Sequence, residues 1–372
     1  MMRPIHGLCG LVFVWILAGC SSIHNRLDEG LARQVDEAVA SEMVRQELVG
    51  AAIGVLVDNQ IVYIKGYGLE DRENNVPVTR KTLFRWASIS KPLTAIAALQ
   101  LEEKGQLDLQ ADVRKYVPEF PEKNATITSR DLLCHQGGIV HYTNGVVIAT
   151  QRKYDTAHPF EDVVVGLDNF RESPLVNDPG KKYSYTTRGY MLLSSVVQRA
   201  GKEKYADQIQ KRIARPLGMR TLQPDYQWVD IAHRAVGYRK RDGKVIPSTN
   251  TDVSWKLGGG GFISNIDDLA RFAGGLLNGR LVQEKTQVRM WTPQKLRNGK
   301  ATRYGFGFSF RGEGDARRVG HSGSQEKTRT RMVLLPGKRL GVVLMCNSEH
   351  CRTADITDRV LEVLGVPPLA MP

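Results

Sequence analysis

Apolar residues recur at two different periods along this chain, and the switch between periods marks out its elements. Between residues 28 and 48, Leu31, Val35, Val39 and Val44 return at close to helical spacing, which predicts an amphipathic helix. Two short apolar runs follow, Ala51–Val57 and Ile61–Tyr67, and Asp58-Asn59-Gln60 between them predicts a hairpin. Residues 89–104, rich in Ala and Leu, predict a strong helix, and stretches 189–200 and 203–214 predict two more among many Pro, Asp and Asn breaks. Strand character returns at Tyr304–Phe310, where aromatics alternate with small residues. Thr330–Leu335 and Leu340–Met345 flank Pro336-Gly337-Lys338-Arg339, a second hairpin, and a helix over 352–364 follows.

Strands and a helix from each end of the chain thus bracket a long middle. The fold class expected is α+β: an antiparallel β-sheet flanked by terminal helices, with an α-rich insertion and a cleft between the two. The sheet domain is assigned to 28–104 and 256–372, and the mostly helical insertion to 105–255.

The first residues carry an address. Arg3 and His6 precede the apolar run Leu8–Ala18, too short for a comfortable permanent span, so 1–19 reads as a secretory signal. Leu17-Ala18-Gly19-Cys20 resembles a bacterial lipobox, which implies lipidation of Cys20 and a tether over 20–27. Ser21 after that cysteine implies an exported lipoprotein facing the periplasm, at the outer rather than the inner membrane.

Composition adds little beyond this. The 372 residues are 41% hydrophobic and 24% charged, ordinary for a globular protein. The net charge of +13 favours anionic surfaces, but Lys and Arg are scattered and no nucleic-acid-binding signature occurs, so no nucleic-acid partner is expected. Cys134, Cys346 and Cys351 lie beyond the leader. Cys346 and Cys351, five apart, could pair in an oxidising compartment, leaving Cys134 as a free buried thiol. No Cys/His spacing fits a zinc site, and neither metal nor cofactor is expected.

Three motifs carry chemistry. Ser88-Ile89-Ser90-Lys91 sits at the predicted start of the 89–104 helix, where Ser and Lys three apart share one face. Pro92 is tolerated there because first-turn amides have no helical partner. The helix N-terminus favours a developing oxyanion, and a lysine beside the serine can manage its proton. Tyr183-Ser184-Tyr185-Thr186-Thr187 precedes the 189–200 helix and presents Tyr185, whose phenol loses its proton more readily near an ammonium. Gly320-His321-Ser322-Gly323-Ser324 begins an apparent strand, where Gly323 permits close approach and an edge could pair with an extended acyl-amide. His321 could orient Tyr185 or meet a substrate carboxylate.

In order, spacing and flanking residues these motifs resemble the serine β-lactamase-related family: class C β-lactamases, D-alanyl-D-alanine carboxypeptidases and family VIII-type esterases. The resemblance runs from about 35 to 362. It includes Lys104-Gly105-Gln106-Leu107-Asp108-Leu109, Tyr116-Val117-Pro118 and Leu132-Leu133-Cys134-His135-Gln136-Gly137-Gly138. It implies a β-lactamase/transpeptidase-like fold, Ser88 as acylated nucleophile, Lys91 as its proton-managing partner and Tyr185 as base and leaving-group acid. It also implies an oxyanion hole from the amides of Ser88 and Ser324. Thr187 stands where members commonly have Asn, and His321 where many have Lys. Both changes weaken the case for efficient β-lactam hydrolysis, and the pattern is nearer the mitochondrial serine β-lactamase-like proteins. The expected activity is a serine hydrolase acting on an acyl-amide or ester, including peptidoglycan peptides. The alternative is a non-catalytic ligand-binding or scaffold lipoprotein.

Gly258-Gly259-Gly260-Gly261 lacks the Gly-Lys-Ser/Thr sequel of a phosphate loop and reads as a close backbone approach before a helix capped by Ser264, with Asp267 three residues on. His135 and His141 fall near the cleft without an Asp partner and read as structural.

Overall fold

The structure, a computed structural model, describes residues 24–369. The signal segment and Cys20 lie outside the described residues. Helix α1 (Glu29–Gln46) is followed by β1 (Gly50–Val57), β2 (Gln60–Asp71) and the two-residue β3 (Val76–Pro77). The middle carries α2 (Ser90–Glu103), α3 (Thr187–Gly201) and α4 (Ile266–Leu277), and the chain returns through β4 (Ser309–Arg311), β5 (Arg318–Gln325), β6 (Thr328–Leu335), β7 (Leu340–Cys346) and α5 (Thr353–Val363). These seven strands form one sheet, ordered β3-β2-β1-β7-β6-β5-β4. The two ends of the chain meet at its centre, where β1 pairs antiparallel with β7, Ile53 opposite Leu344.

Period-two alternation decides which layer each strand residue joins. Ala51, Ile53 and Val55 face α1 and α5, packing with Val35, Val39, Ile356 and Val360. Ala52 and Leu56 face the other way, onto Ile96, Leu269 and Phe272 of the helical layer. With both faces covered, β1 is buried along nearly its whole length, which is why its sequence is an unbroken apolar run. Asp28 caps α1 by accepting the Leu31 amide at 3.0 Å. Met43, not Val44, completes the buried stripe of α1; Val44 is 80% exposed.

Two further expectations need correction, and the pairing left open for Cys346 and Cys351 is not made. Tyr304–Phe310 is not a strand: only Ser309–Arg311 joins the sheet. Gly305 donates to Phe308 O at 2.8 Å, and Gly307 at φ +84 lies where a Cβ would come within 2.6 Å of Ala95 Cβ. The buried aromatics therefore line a turn pressed on α2. The helix after the four glycines is capped by Asn265, whose Oδ1 accepts the Asp268 amide at 3.0 Å. Ser264 is already committed, its Oγ accepting Trp86 Nε1–H at 2.6 Å. Cys346 and Cys351 are buried free thiols, not a disulfide, and burial pushes the Cys134 thiol up to about 12.

Candidate active site

The segment before Ser88 is clamped on three sides. Phe84 and Arg85 pair with Ile263 and Ser264, and the Trp86 amide donates to Phe262 O at 2.8 Å. From the sheet, Thr328 and Thr330 of β6 donate their hydroxyls to Arg85 O at 3.1 Å and Trp86 O at 2.9 Å. The Arg85 side chain is buried and bonds Asp225 at 2.5 Å. Held this way, the chain turns sharply at Ala87, whose φ of +47 is a left-handed value that a residue with a Cβ rarely takes. Ser88 follows in a single 3-10 turn, and α2 begins at Ser90. Gly323 of β5 lies against this turn: a Cβ there would be 2.1 Å from Thr330 Oγ1 and 2.5 Å from Trp86 O. Only glycine lets the strand come so close to the serine. Among the described residues, the outer edge of β5 beyond Gly320 has no strand partner, since β4 pairs only with Arg318–Gly320.

Lys91 is fully buried. Its Nζ is 3.0 Å from Ser88 Oγ, 3.3 Å from Thr187 Oγ1 and 2.8 Å from Gly259 O. None of these partners is a carboxylate. Burial drives the Lys91 pKa well below the ordinary lysine value, and the nearby Lys256 charge pushes it the same way. A neutral amine has two N–H bonds and one lone pair. The carbonyl of Gly259 can only accept, and the Thr187 hydroxyl can take the second N–H, so the lone pair is left for the Ser88 hydroxyl. The four glycines serve this contact: a Cβ on Gly259 would be 2.6 Å from Thr187 Cγ2 and one on Gly258 2.4 Å from Ser194 Cβ.

Tyr185 lies beside this pair, with Lys91 Nζ 4.9 Å from its ring centre. The expectation that the phenol would ionise readily is reversed, because burial raises its pKa above the ordinary value. Ammonium–phenolate and amine–phenol hold the same number of protons; the desolvated site favours the uncharged pair.

The loop carrying Tyr185 is fixed by two histidines, a role the sequence did not disclose. His135 Nδ1 accepts the Thr186 amide and His141 Nδ1 the Thr187 amide, each at 3.2 Å, while Thr186 Oγ1 accepts the Gly189 amide at 3.2 Å. Three side chains thus satisfy the first amides of α3. The His135 ring packs 4.3 Å from that of Tyr185 and 4.7 Å from that of Tyr304. Burial keeps His135 neutral and lowers His141 to about 4.

His321 neither orients Tyr185 nor presents a charge. Its Nδ1–H donates to Ser322 O at 2.7 Å, and its Nε2 accepts from the Tyr304 hydroxyl at 2.9 Å. Burial lowers its pKa to about 3. The structure thus gathers Ser88, Lys91 and Thr187 through hydrogen bonds of the amine, with the Tyr185 ring beside Lys91, Gly323 pressed on the serine turn and His321 in the aromatic wall. The side chains of Ser322 and Ser324 face out to solvent. Gly259 O, Tyr304, His135 and His141 complete the site; only the glycine run gave a sequence signal for any contact of this kind.

A sheet with the terminal helices on one face and a helical layer on the other, a serine at the start of a central helix and a buried lysine one turn on, defines the β-lactamase and transpeptidase fold class. The chain belongs to the Beta-lactamase family, whose sequence profile matches residues 33–365. It is 30% identical over 322 residues to the mitochondrial serine beta-lactamase-like protein LACTB of Homo sapiens, covering 66% of this chain and 59% of that protein. The chain therefore spans about three-fifths of the length of that relative. A penicillin-binding protein of Bacillus subtilis is 29% identical over 307 residues, 78% of this chain and 66% of that one. In fold, the D-amino acid amidase of Ochrobactrum anthropi SV3 superposes with a TM-score of 0.75 at 22% identity, over 90% of this chain and 99% of the amidase.

Proposed function

We propose that this protein is a serine hydrolase that works through an acyl-enzyme on Ser88. The observation that carries this reading is Lys91, buried among neutral partners with its Nζ 3.0 Å from Ser88 Oγ. Lys91 takes the Ser88 proton as Oγ attacks the substrate carbonyl carbon. The amides of Ser88 and Ser324 receive the oxyanion, and the open edge of β5 holds the extended substrate. As the tetrahedral adduct collapses, Tyr185 gives its phenolic proton to the leaving amine or alkoxide and is reprotonated from the Lys91 ammonium. Water then attacks the ester through the same groups, returning Ser88 and releasing the acid. Thr187 holds the amine in place.

The substrate class is an acyl-amide or ester: a cell-wall stem peptide, another small peptide or a simple ester. The amidase fold neighbour and the penicillin-binding relative support amide chemistry. Lipidation of Cys20 and a periplasmic, outer-membrane location are part of the same proposal, and loss of palmitate labelling in Cys20→Ala is the check. The rival reading, a non-catalytic binding module, would not need a buried amine aimed at a serine.

Intact-protein mass after exposure to a fluorophosphonate, a penicillin and a 4-nitrophenyl ester decides between them. An adduct on the wild type that is absent from Ser88→Ala supports the hydrolase. No adduct from any probe on folded protein sinks it and leaves the binding module.

A further inference from the structure

Among the described residues, two other buried arginines have carboxylate partners. Arg85 bonds Asp225 at 2.5 Å and Arg318 bonds Asp358 at 2.7 Å. Arg188 and Lys256 do not follow this pattern. Arg188 is 8% exposed and Lys256 9%, yet neither has a carboxylate within ion-pair distance among the described residues. Arg188 Nε and Nη1 are buried with no hydrogen-bond partner at all. What they do have is an aromatic ring: Arg188 Cζ lies 5.0 Å and Lys256 Nζ 6.0 Å from the centre of Tyr142, and Lys256 is also 5.6 Å from Trp255. A cation–π contact offsets only part of the cost of taking an ion out of water. The carboxylates that Lys256 feels are Glu326, which is exposed, and Asp252, which already accepts from the Ser254 amide and hydroxyl.

Both residues border the reacting groups. Arg188 follows Thr187, whose hydroxyl is 3.3 Å from Lys91 Nζ. Lys256 precedes the turn whose Gly259 carbonyl accepts from Lys91 at 2.8 Å. The Tyr142 phenol interacts with Thr187, and its ring is 46% exposed, so this corner opens to solvent. On the strand side of the site, His321 offers no charge.

We propose that Arg188 and Lys256, set around Tyr142, form an anion subsite, so that the preferred substrate carries a carboxylate. This rests on the hydrolase reading above and adds the substrate's charge to it. No bond is made or broken at the subsite; it supplies charge-assisted hydrogen bonds that the buried guanidinium lacks.

Two matched pairs of esters test it: 4-nitrophenyl hexanoate against mono-4-nitrophenyl adipate, whose chain is too long for its carboxylate to close a five-membered anhydride, and phenyl butyrate against 4-carboxyphenyl butyrate. The first pair places the carboxylate on the acyl group, the second on the leaving group. The expected result is that, in one pair, kcat/KM favours the carboxylate by at least about tenfold. Arg188→Met or Lys256→Met should bring that ratio toward one. The same pairs are titrated calorimetrically against Ser88→Ala, where nothing turns over, so binding is read without catalysis and without relying on either cation variant. Equal affinity within both pairs, or a preference untouched in both cation variants, overturns the subsite. If no ester is turned over but Ser88→Ala still prefers the carboxylate, the hydrolase reading fails and the subsite stands.

Discussion

The Tyr304 hydroxyl donates to His321 Nε2 at 2.9 Å, and this bond fixes the imidazole as a neutral group. The other nitrogen is bound to Ser322 O, so a second proton would force the Tyr304 hydroxyl to turn from donor to acceptor inside a packed aromatic wall. His135 is buried and neutral in the same wall.

Acid should therefore unfold this protein through its histidines. Their folded values lie below the unfolded value of 6.5, His321 at about 3. The neutral forms stabilise the fold fully above pH 6.5. As pH falls below that, the unfolded chain binds protons that the folded one refuses. Each fully buried histidine then costs about 1.4 kcal/mol per pH unit. Urea midpoints measured from pH 7.5 to 4.5 should decline below 6.5. His321→Gln, whose amide can accept from Tyr304 without titrating, should decline less steeply.

Lys91→Met should lower kcat/KM toward a 4-nitrophenyl ester by about a thousandfold, the scale of a lost general base. In the wild type, activity should rise with pH through a single acid limb set by Lys91. Lys256 repels the Lys91 ammonium, so Lys256→Met should move that limb to higher pH. A limb that stays in place would mean that another group sets it.

Gly323→Ala should fold and lose rate. The added methyl meets Trp86 O and Thr330 Oγ1 and forces β5 off the serine turn. A displacement near 1 Å costs about a hundredfold. The loss should appear in kcat more than in the unfolding midpoint, and Gly274→Ala, whose methyl would meet nothing nearer than Leu56 Cδ2 at 3.4 Å, serves as the contrast.

Asp225→Asn leaves the buried Arg85 without its main partner, and Arg234 loses its 3.1 Å contact as well. The expected loss is about 3 kcal/mol of stability, read as a lower urea midpoint. Because Arg85 lies three residues before Ser88, fluorophosphonate labelling should slow in parallel.

The sheet and its covering helices were legible because their apolar periods are long and uninterrupted: β1, β2, β6, β7, α1 and α5 all lie within a few residues of their expected positions. Ser88, Lys91, Tyr185 and Thr187 were legible because their spacing repeats a known pattern. The errors fall where tertiary contact overrides local pattern. Phe306 and Phe308 alternate like a strand but pack a glycine turn onto α2. Ser264 looked like a cap but was claimed by the indole of Trp86, 178 residues away. The capping by His135 and His141 could not be read at all, because an imidazole accepting a backbone amide across about fifty residues has no local signature.

The pairing of β1 with β7 also dictates when the site can exist. Ser88 and Lys91 are synthesised in the first quarter of the chain, but the threonines that hold the serine turn and the strand that presses on it come from residues 318–330. Strand β1 has no neighbour on that side until residues 340–346 are made. Contacts so far apart in sequence form late and slowly. On the hydrolase reading proposed above, the nascent chain therefore carries Ser88 in an unarmed state, and reactivity toward acyl groups switches on only after residues 318–346 have left the ribosome.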